Sequence, residues 1–154
     1  MSARQAGAAA ERHRIVTAVL ERWAIDIRAH RSEAVAAGFT TDALFQGFDP
    51  APVIGRPGIA AYYDKQPLGL DPRFAIVDHR ELADDVLIAY VDVDFVRPEG
   101  VVIPVHLTVV LLRQAPAGDG GGERRGDGGG DGGGGERGDD DAWLIGHYHV
   151  SKIG

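Results

Sequence analysis

The sequence predicts one α+β domain in which helices come first and strands follow. Apolar residues recur every three or four positions in the first third of the chain, which is typical of amphipathic helices. From residue 74 onward, segments rich in Val, Ile and aromatic residues alternate with short turns, which is typical of an antiparallel sheet. With 154 residues and 44% hydrophobic content, the chain is long enough for one core and too short for two ordinary domains.

The first two predicted helices are defined by an apolar stripe and by a cap. Apolar side chains repeat at intervals of four from Ile15 to Ile27, and this stripe predicts a helix over about 8–30. A second, short helix over 33–37 is expected to begin with Ser32 as its N-terminal cap.

The remaining predicted elements are a third helix and five strands. Pro57, two residues after Gly55, suits the first turn of the third helix, which is expected to end at Pro67. Short turns and one long glycine-rich segment separate the later strands. The strands are predicted at 43–48, 74–82, 86–95, 101–113 and 143–151.

Residues 117–141 form a glycine- and aspartate-rich insert before the last predicted strand. The insert carries eight acidic residues against three arginines, so most of the net charge of −7 lies there and the rest of the chain is close to neutral. Because the insert has too little apolar surface to offset the entropy of ordering, we expect a mobile hairpin connection within a single domain, 1–154. A domain without a basic face predicts no nucleic-acid partner.

Composition also excludes several classes of site. The absence of cysteine excludes thiolate catalysis, disulfides and cysteine-ligated metals. No segment approaches the roughly 18 apolar residues of a membrane span, and the N-terminal residues lack the apolar centre of a secretory signal, so we expect a cytoplasmic protein without membrane contact. No Gly-x-Gly-x-x-Gly follows a predicted strand, and no cofactor is expected.

The closing strand, 143–151, carries two of the six histidines. Alternation places His147 and His149 on one side of this strand, and Tyr148 and Val150 on the other. Two histidines at i and i+2 fit a metal site or an acid–base pair, and they also fit structural side chains whose hydrogen bonds are satisfied.

Three features resemble the SnoaL-like branch of the nuclear transport factor 2-like superfamily. They are the step 39–43 (FTTDA), the segment 55–63 (GRPGIAAYY) and the closing strand. More closely, the chain resembles small proteins of this fold from bacterial enediyne and polyketide biosynthetic clusters. The resemblance implies a cone-shaped domain in which an antiparallel sheet wraps the long first helix and encloses a deep, mainly apolar pocket. It also implies a homodimer formed through the outer sheet face.

Two relatives of this superfamily bear on the site. Ketosteroid isomerase has a helix similar to 55–63, but the positions of its two acids fall on Gly47 and about Leu107, so its mechanism is not carried over. The association domain of calcium/calmodulin-dependent kinase II is similar at 88–92, which implies that Asp92 lines the pocket. Both relatives imply that the Tyr148 and Val150 side of the closing strand faces the pocket, together with Gly146, and that the two histidines point outward.

The resemblance, together with the residues, predicts a cofactor-independent accessory enzyme of the cyclase, isomerase or dehydratase type, acting on a hydrophobic polyketide or enediyne intermediate. The alternative is a non-catalytic small-molecule-binding or oligomerisation module. Paired carboxylates in a cavity are suited to proton transfer, so the expected catalytic residues are Asp92, Asp94 and Tyr90. The expected substrate-binding residues are Trp23, Phe45, Phe48, Tyr62, Tyr63, Phe74, Tyr148 and Val150.

Two alternatives stay open at this point. The strand 86–95 can instead turn its Val and Phe side chains to the core, which leaves its acids in solvent. His106, His147 and His149 can meet at a metal or at a subunit interface. No metal site is predicted, because no helical His-x-x-x-His or carboxylate spacing accompanies these histidines.

Overall fold

A computed structural model describes residues 2–115 and 143–153 of the chain. The predicted insert, 117–141, lies outside these residues. The helices are α1 (Ala3–Arg28), α2 (Ser32–Ala37) and α3 (Arg56–Asp64). The strands are β1 (Phe39–Gln46), β2 (Val53–Ile54), β3 (Asp71–Ala83), β4 (Val86–Val96), β5 (Val102–Arg113) and β6 (Trp143–Lys152). The predicted order of helices and strands is therefore confirmed, with β2 as an additional short strand.

The six strands form one sheet in the order β2-β1-β6-β5-β4-β3. Strands β3 to β6 form an antiparallel meander, as predicted. However, β1 pairs with β6 in parallel, so the sheet is mixed rather than wholly antiparallel. Parallel strands need a long connection. Here the connection from β1 to β6 includes α3 and the strands β2 to β5.

The starts of two helices differ from the predicted ones, and α3 ends at Asp64 rather than at Pro67. Helix α1 begins earlier, because the Ser2 side chain accepts a hydrogen bond from the Gln5 backbone and the Gln5 side chain accepts one from Ser2. Ser32 does not cap α2; it is the first helical residue, and its hydroxyl bonds to Asp64 of α3 at 3.3 Å.

The core lies between α1 and the concave face of the sheet. Every second residue of β4 and β5 is buried on that face, and the apolar stripe of α1 packs against it. Such burial stabilises the fold by about 25 cal/mol for each Å² of apolar surface removed from water. The buried apolar residues of α1 are Ile15, Val16, Val19, Leu20, Trp23, Ala24 and Ile27.

The closing strand β6 changes face at a β-bulge. Ile145 lies opposite Leu111, whereas His147 lies opposite Val110, so one residue of β6 is unpaired between them. Trp143 and Ile145 are buried before the bulge, and Tyr148 and Val150 after it. The predicted strict alternation of buried and exposed residues along 143–151 is therefore wrong, because the buried side changes from odd to even positions at the bulge.

Gly146, which was expected to face the pocket, is the residue at this bulge. A Cβ atom on Gly146 would lie 2.6 Å from Cδ1 of Leu112, on the outer side of β5. The bulge thus turns Gly146 away from the interior while keeping the two histidines outside.

We expect Gly55→Ala to lower the free energy of unfolding by about 1–3 kcal/mol, because the backbone there is essentially restricted to glycine. Gly55 precedes α3 with φ 96° and ψ 159°. Gly7→Ala is the matched control: no atom lies within 4 Å of its added Cβ, and alanine favours the helix. Urea unfolding, monitored by tryptophan fluorescence, gives the free energy of unfolding of both variants. Equal effects of the two substitutions would contradict the assigned strain.

Candidate functional site

A cluster of aromatic side chains fills the interior of the cone. Phe45 is at its centre, stacked on Tyr148 with 4.4 Å between ring centres and packed edgewise on Tyr62 at 4.7 Å. Trp23 of α1 approaches Tyr148 from the helix side at 6.0 Å. Ring pairs in these geometries stabilise beyond their buried area by about 0.5–1.5 kcal/mol each. The aromatic cluster comprises Trp23, Phe39, Phe45, Phe48, Tyr62, Tyr63, Phe95 and Tyr148.

The Tyr63 hydroxyl is the polar centre of the aromatic cluster. The indole Nε1 of Trp23 donates to it at 3.2 Å. The neighbouring Tyr148 hydroxyl interacts with it electrostatically, which lowers the pKa of Tyr63 and raises that of Tyr148. Burial has the larger effect and raises the pKa of both phenols, so both are neutral at physiological pH.

The deep pocket that was expected inside the cone is closed in this structure. A void of only ≈ 10 Å³ remains beneath Phe48, between Tyr63, Tyr148 and Val150. An open groove of ≈ 530 Å³ lies on the other side of Phe48, along α3. Phe48, Tyr62 and Gln66 line both spaces, so these side chains separate the small void from the open groove.

Most of the predicted substrate-binding residues meet in the interior. Trp23, Phe45, Tyr63, Tyr148 and Val150 are buried, and Phe48 and Tyr62 are half-buried beside them. Phe74 lies on the inner face of β3, opposite Val93 of β4, and makes none of the ring contacts of the cluster.

Sequence reasoning missed Phe95 and Gln66. Phe95 contacts both Trp23, at 6.0 Å, and Phe48, at 5.5 Å between ring centres. Phe95 is two residues beyond Val93 and four beyond Val91, so alternation along the strand places it on the same buried face, and this pattern could have identified it. Gln66, just beyond α3, has no comparable signal in the sequence.

The predicted catalytic residues lie on the outer face of the sheet, which corrects their expected placement. Tyr90, Asp92 and Asp94 are exposed, whereas the residues between them are buried. The apolar side of β4 packs against α1, since burying carboxylates there would cost several kcal/mol of desolvation each. The resemblance to the kinase association domain implied that Asp92 lines the pocket, but Asp92 lies on the opposite face of the sheet. The alternative, in which the acids of this strand are exposed to solvent, is correct.

A small polar cluster does form on this outer face. Asp92 Oδ1 lies 2.8 Å from His106 Nδ1, and the Tyr90 ring stacks on the His106 ring at 5.4 Å. His147 and His149 are exposed on the neighbouring strand. Within residues 2–115 and 143–153, no three metal-ligating side chains come together.

Among the described residues, the aromatic cluster contains no carboxylate or histidine. In the part of the chain that the structure describes, the buried polar or charged residues are Asp26 and Thr40. Asp26 is paired with Arg31 at 2.9 Å, outside the aromatic cluster. What the interior offers a ligand is ring faces and the neutral hydroxyls of tyrosine.

Comparison with known proteins identifies the fold. No family model and no curated protein matches the chain. Among solved structures, a ketosteroid isomerase-like protein from Erwinia carotovora atroseptica is 16% identical, with TM-score 0.64, over 91% of this chain and 95% of that one. An NTF-2 like protein of unknown function from Silicibacter pomeroyi is 14% identical, with TM-score 0.60, over 94% and 98%. This chain has the nuclear transport factor 2-like fold.

A third similar structure is from Xanthomonas campestris and is named for the calcium/calmodulin dependent protein kinase II association domain. It is 17% identical, with TM-score 0.62, over 90% of this chain and 85% of that one. The three likenesses confirm the predicted cone-shaped α+β fold, and at these identities they show the fold alone. No helix among the described residues is long and apolar enough to cross a membrane.

We expect Tyr63→Phe to destabilise the protein by about 1–3 kcal/mol, because it leaves the buried Nε1–H of Trp23 without its acceptor. Tyr62→Phe is the matched control, since its half-buried hydroxyl accepts only the backbone N–H of Phe48, at 3.1 Å. We expect that change to cost about 1 kcal/mol or less. Urea denaturation of both variants gives the comparison. If Tyr62→Phe costs as much as Tyr63→Phe, Tyr63 is not the polar centre of the cluster.

Proposed function

We propose that this chain binds a small hydrophobic molecule that carries a carbonyl or hydroxyl oxygen, within the aromatic cluster beneath Phe48. The observation that supports this proposal is the buried hydrogen bond from Trp23 to Tyr63, with the Tyr148 ring beside it, inside an otherwise apolar aromatic cluster. Rings provide the apolar contact area, and the Tyr63 and Tyr148 hydroxyls provide a polar contact that fixes orientation.

The ligand reaches this site by displacing Phe48. The ring of Phe48 is only half-buried, and it stands between the void at Tyr63 and the open groove along α3. Rotation of this one side chain joins the two spaces. Lys152 covers the Phe48 ring at 5.7 Å, so its ammonium group lies at the mouth of the opened site.

Binding without turnover accounts for the interior better than carboxylate chemistry does. Proton transfer needs a group whose pKa lies near the working pH, and the buried tyrosines have pKa values raised well above that range. Asp92 and Asp94 lie across the sheet from the ligand site. We therefore favour the non-catalytic alternative over the accessory enzyme.

We infer the ligand class from the ring faces and hydroxyls of the aromatic cluster, and from the resemblance to proteins of polyketide and enediyne clusters. A polyketide-type intermediate combines an apolar carbon skeleton with ketone and hydroxyl oxygens, which suits ring faces and neutral phenols. A role as a carrier or holder of such an intermediate is the finer form of the proposal.

We also propose that two copies pair through the outer sheet face. Ile88, Val110 and His147 lie side by side across β4, β5 and β6, and the row continues through Leu44 to Ile54, which is 66% exposed. A row of partly exposed apolar side chains across a sheet face is typical of an interface between copies. The exposed histidines would then lie at the dimer contact.

Phe48→Ala tests the ligand site with 2-naphthol as the probe, followed by calorimetric titration. Because the substitution removes the ring that competes with the ligand and opens a ring-sized space, we expect at least about tenfold tighter binding than in the natural protein. Leu68→Ala is the control, since Leu68 is an exposed neighbour, and it leaves the affinity unchanged. The double variant Phe48→Ala with Tyr63→Phe should bind more weakly than Phe48→Ala alone. Unchanged affinity in Phe48→Ala would refute the site.

Val110→Glu tests the dimer by sedimentation velocity. We expect the natural protein to sediment as a dimer and the variant as a monomer, because an unpaired carboxylate in the contact must be desolvated. Leu68→Glu adds the same charge to an exposed loop away from the sheet face and should leave the dimer intact. A monomeric natural protein, or a dimeric Val110→Glu variant, would contradict the proposed interface.

A further inference from the structure

Three basic side chains meet where the early turns of α1 cross β3, away from the aromatic cluster. The Arg12 Nε donates a hydrogen bond to Nδ1 of His79 at 3.1 Å. The ring of His13 lies against the His79 ring, with 5.5 Å between their centres. Because Nδ1 of His79 accepts the bond from Arg12, the ring proton of neutral His79 is on Nε2. We call Arg12, His13 and His79 the basic trio.

The nearest acidic side chains are engaged elsewhere. Glu11 is held by Arg14 at 2.6 Å. Asp78 accepts the backbone N–H of His79 at 2.9 Å with one oxygen, and its other oxygen lies 3.6 Å from Arg80. These acids therefore do not neutralise the basic trio directly.

Arg12 has no carboxylate within ion-pair distance among residues 2–115 and 143–153, and its hydrogen bond goes to an uncharged ring. Arg12 is only half-buried, and most of the net charge of −7 lies in the insert rather than in this part of the chain. Its terminal N–H groups and Nε2–H of His79 remain as donors. Glu81 shares the face of His79 but lies two residues farther along the strand, about 6.5 Å away.

We propose that the basic trio binds a tetrahedral oxyanion of the phosphate or sulfate type, either free or as the phosphate group of an organic ester. The guanidinium of Arg12 offers paired N–H groups that match two oxygens of such an anion. His79 donates from Nε2, and His13 adds a second imidazole from the next position of α1. This site is separate from the proposed ligand site in the aromatic cluster and does not depend on it.

Proton uptake is coupled to this binding. Burial lowers the pKa of His79, and the positive charges of Arg12 and His13 lower it further, while Asp78 acts weakly in the opposite direction. On β4 the residue opposite His79 is Ala89, which carries no charge. A bound dianion offsets the repulsion from α1 and raises the pKa of His79. By linkage, the anion therefore binds more tightly as the pH falls, when His79 gains a proton on Nδ1 and Nε–H of Arg12 is released from that atom to the anion.

Sulfate is the suitable probe, because it stays divalent across the pH range in which histidine titrates. NMR titration of the His79 ring in the full chain should show a higher pKa in sodium sulfate than in sodium chloride at equal ionic strength. Sulfate affinity from the same spectra should rise several-fold from pH 8 to pH 6. Arg12→Gln should weaken sulfate binding by about tenfold or more, which is the loss expected for a charge-assisted hydrogen bond.

Arg4→Gln is the matched control, since it removes the same charge from an exposed position two turns earlier in α1. It should leave sulfate affinity within about twofold, because exposed charges a Debye length away are screened. Glu81→Gln should strengthen binding. Phenyl phosphate separates the two sources: tighter binding than inorganic phosphate indicates an ester, and equal binding indicates the free anion.

Two results would overturn the proposal. One is an equal pKa of His79 in sulfate and chloride. The other is an equal loss of affinity in Arg12→Gln and Arg4→Gln, which would mean that sulfate responds to overall charge rather than to the basic trio.

Discussion

The packing of the apolar stripe of α1 against the concave face of the sheet decides which face of the long strands is buried. Once Val16, Leu20 and Trp23 are buried there, each strand must turn its apolar side toward them. The face of β4 follows from this constraint, because Val91 and Val93 can meet α1 and the carboxylates between them cannot. The aromatic cluster and the polar outer face are two results of the same packing.

Much of the fold could be predicted from the sequence because its signals are local. The stripe of α1 and the alternation of β3 to β6 are periodic, and the side of the closing strand that carries Tyr148 and Val150 is indeed buried. The parallel pairing of β1 with β6 could not be predicted in this way, because no local pattern records which distant strand lies alongside another. The bulge at Gly146 is likewise decided by pairing with β5.

The candidate site was predicted in part. Aromatic residues spread over α1, β1, α3 and β6 do meet, because burial brings large apolar side chains together. That they fill the cone instead of lining a cavity depends on volumes and rotamers, which spacing along the chain does not record. Asp92 shows the reverse problem. The alternation of β4 alone favours an exposed carboxylate, and a resemblance to a distant relative outweighed that local pattern in the prediction.

The parallel pair of β1 and β6 has a consequence for folding. Phe39 pairs with Ile145, so the strand that completes the sheet joins residues that are more than 100 positions apart in the sequence. Closing so long a loop costs entropy before any contact compensates for it, and folds rich in such contacts form slowly. Until β6 is in place, the inner edges of β1 and β5 both expose unpaired backbone groups. Folding intermediates are therefore open to pairing with other chains there, whereas the completed sheet is not.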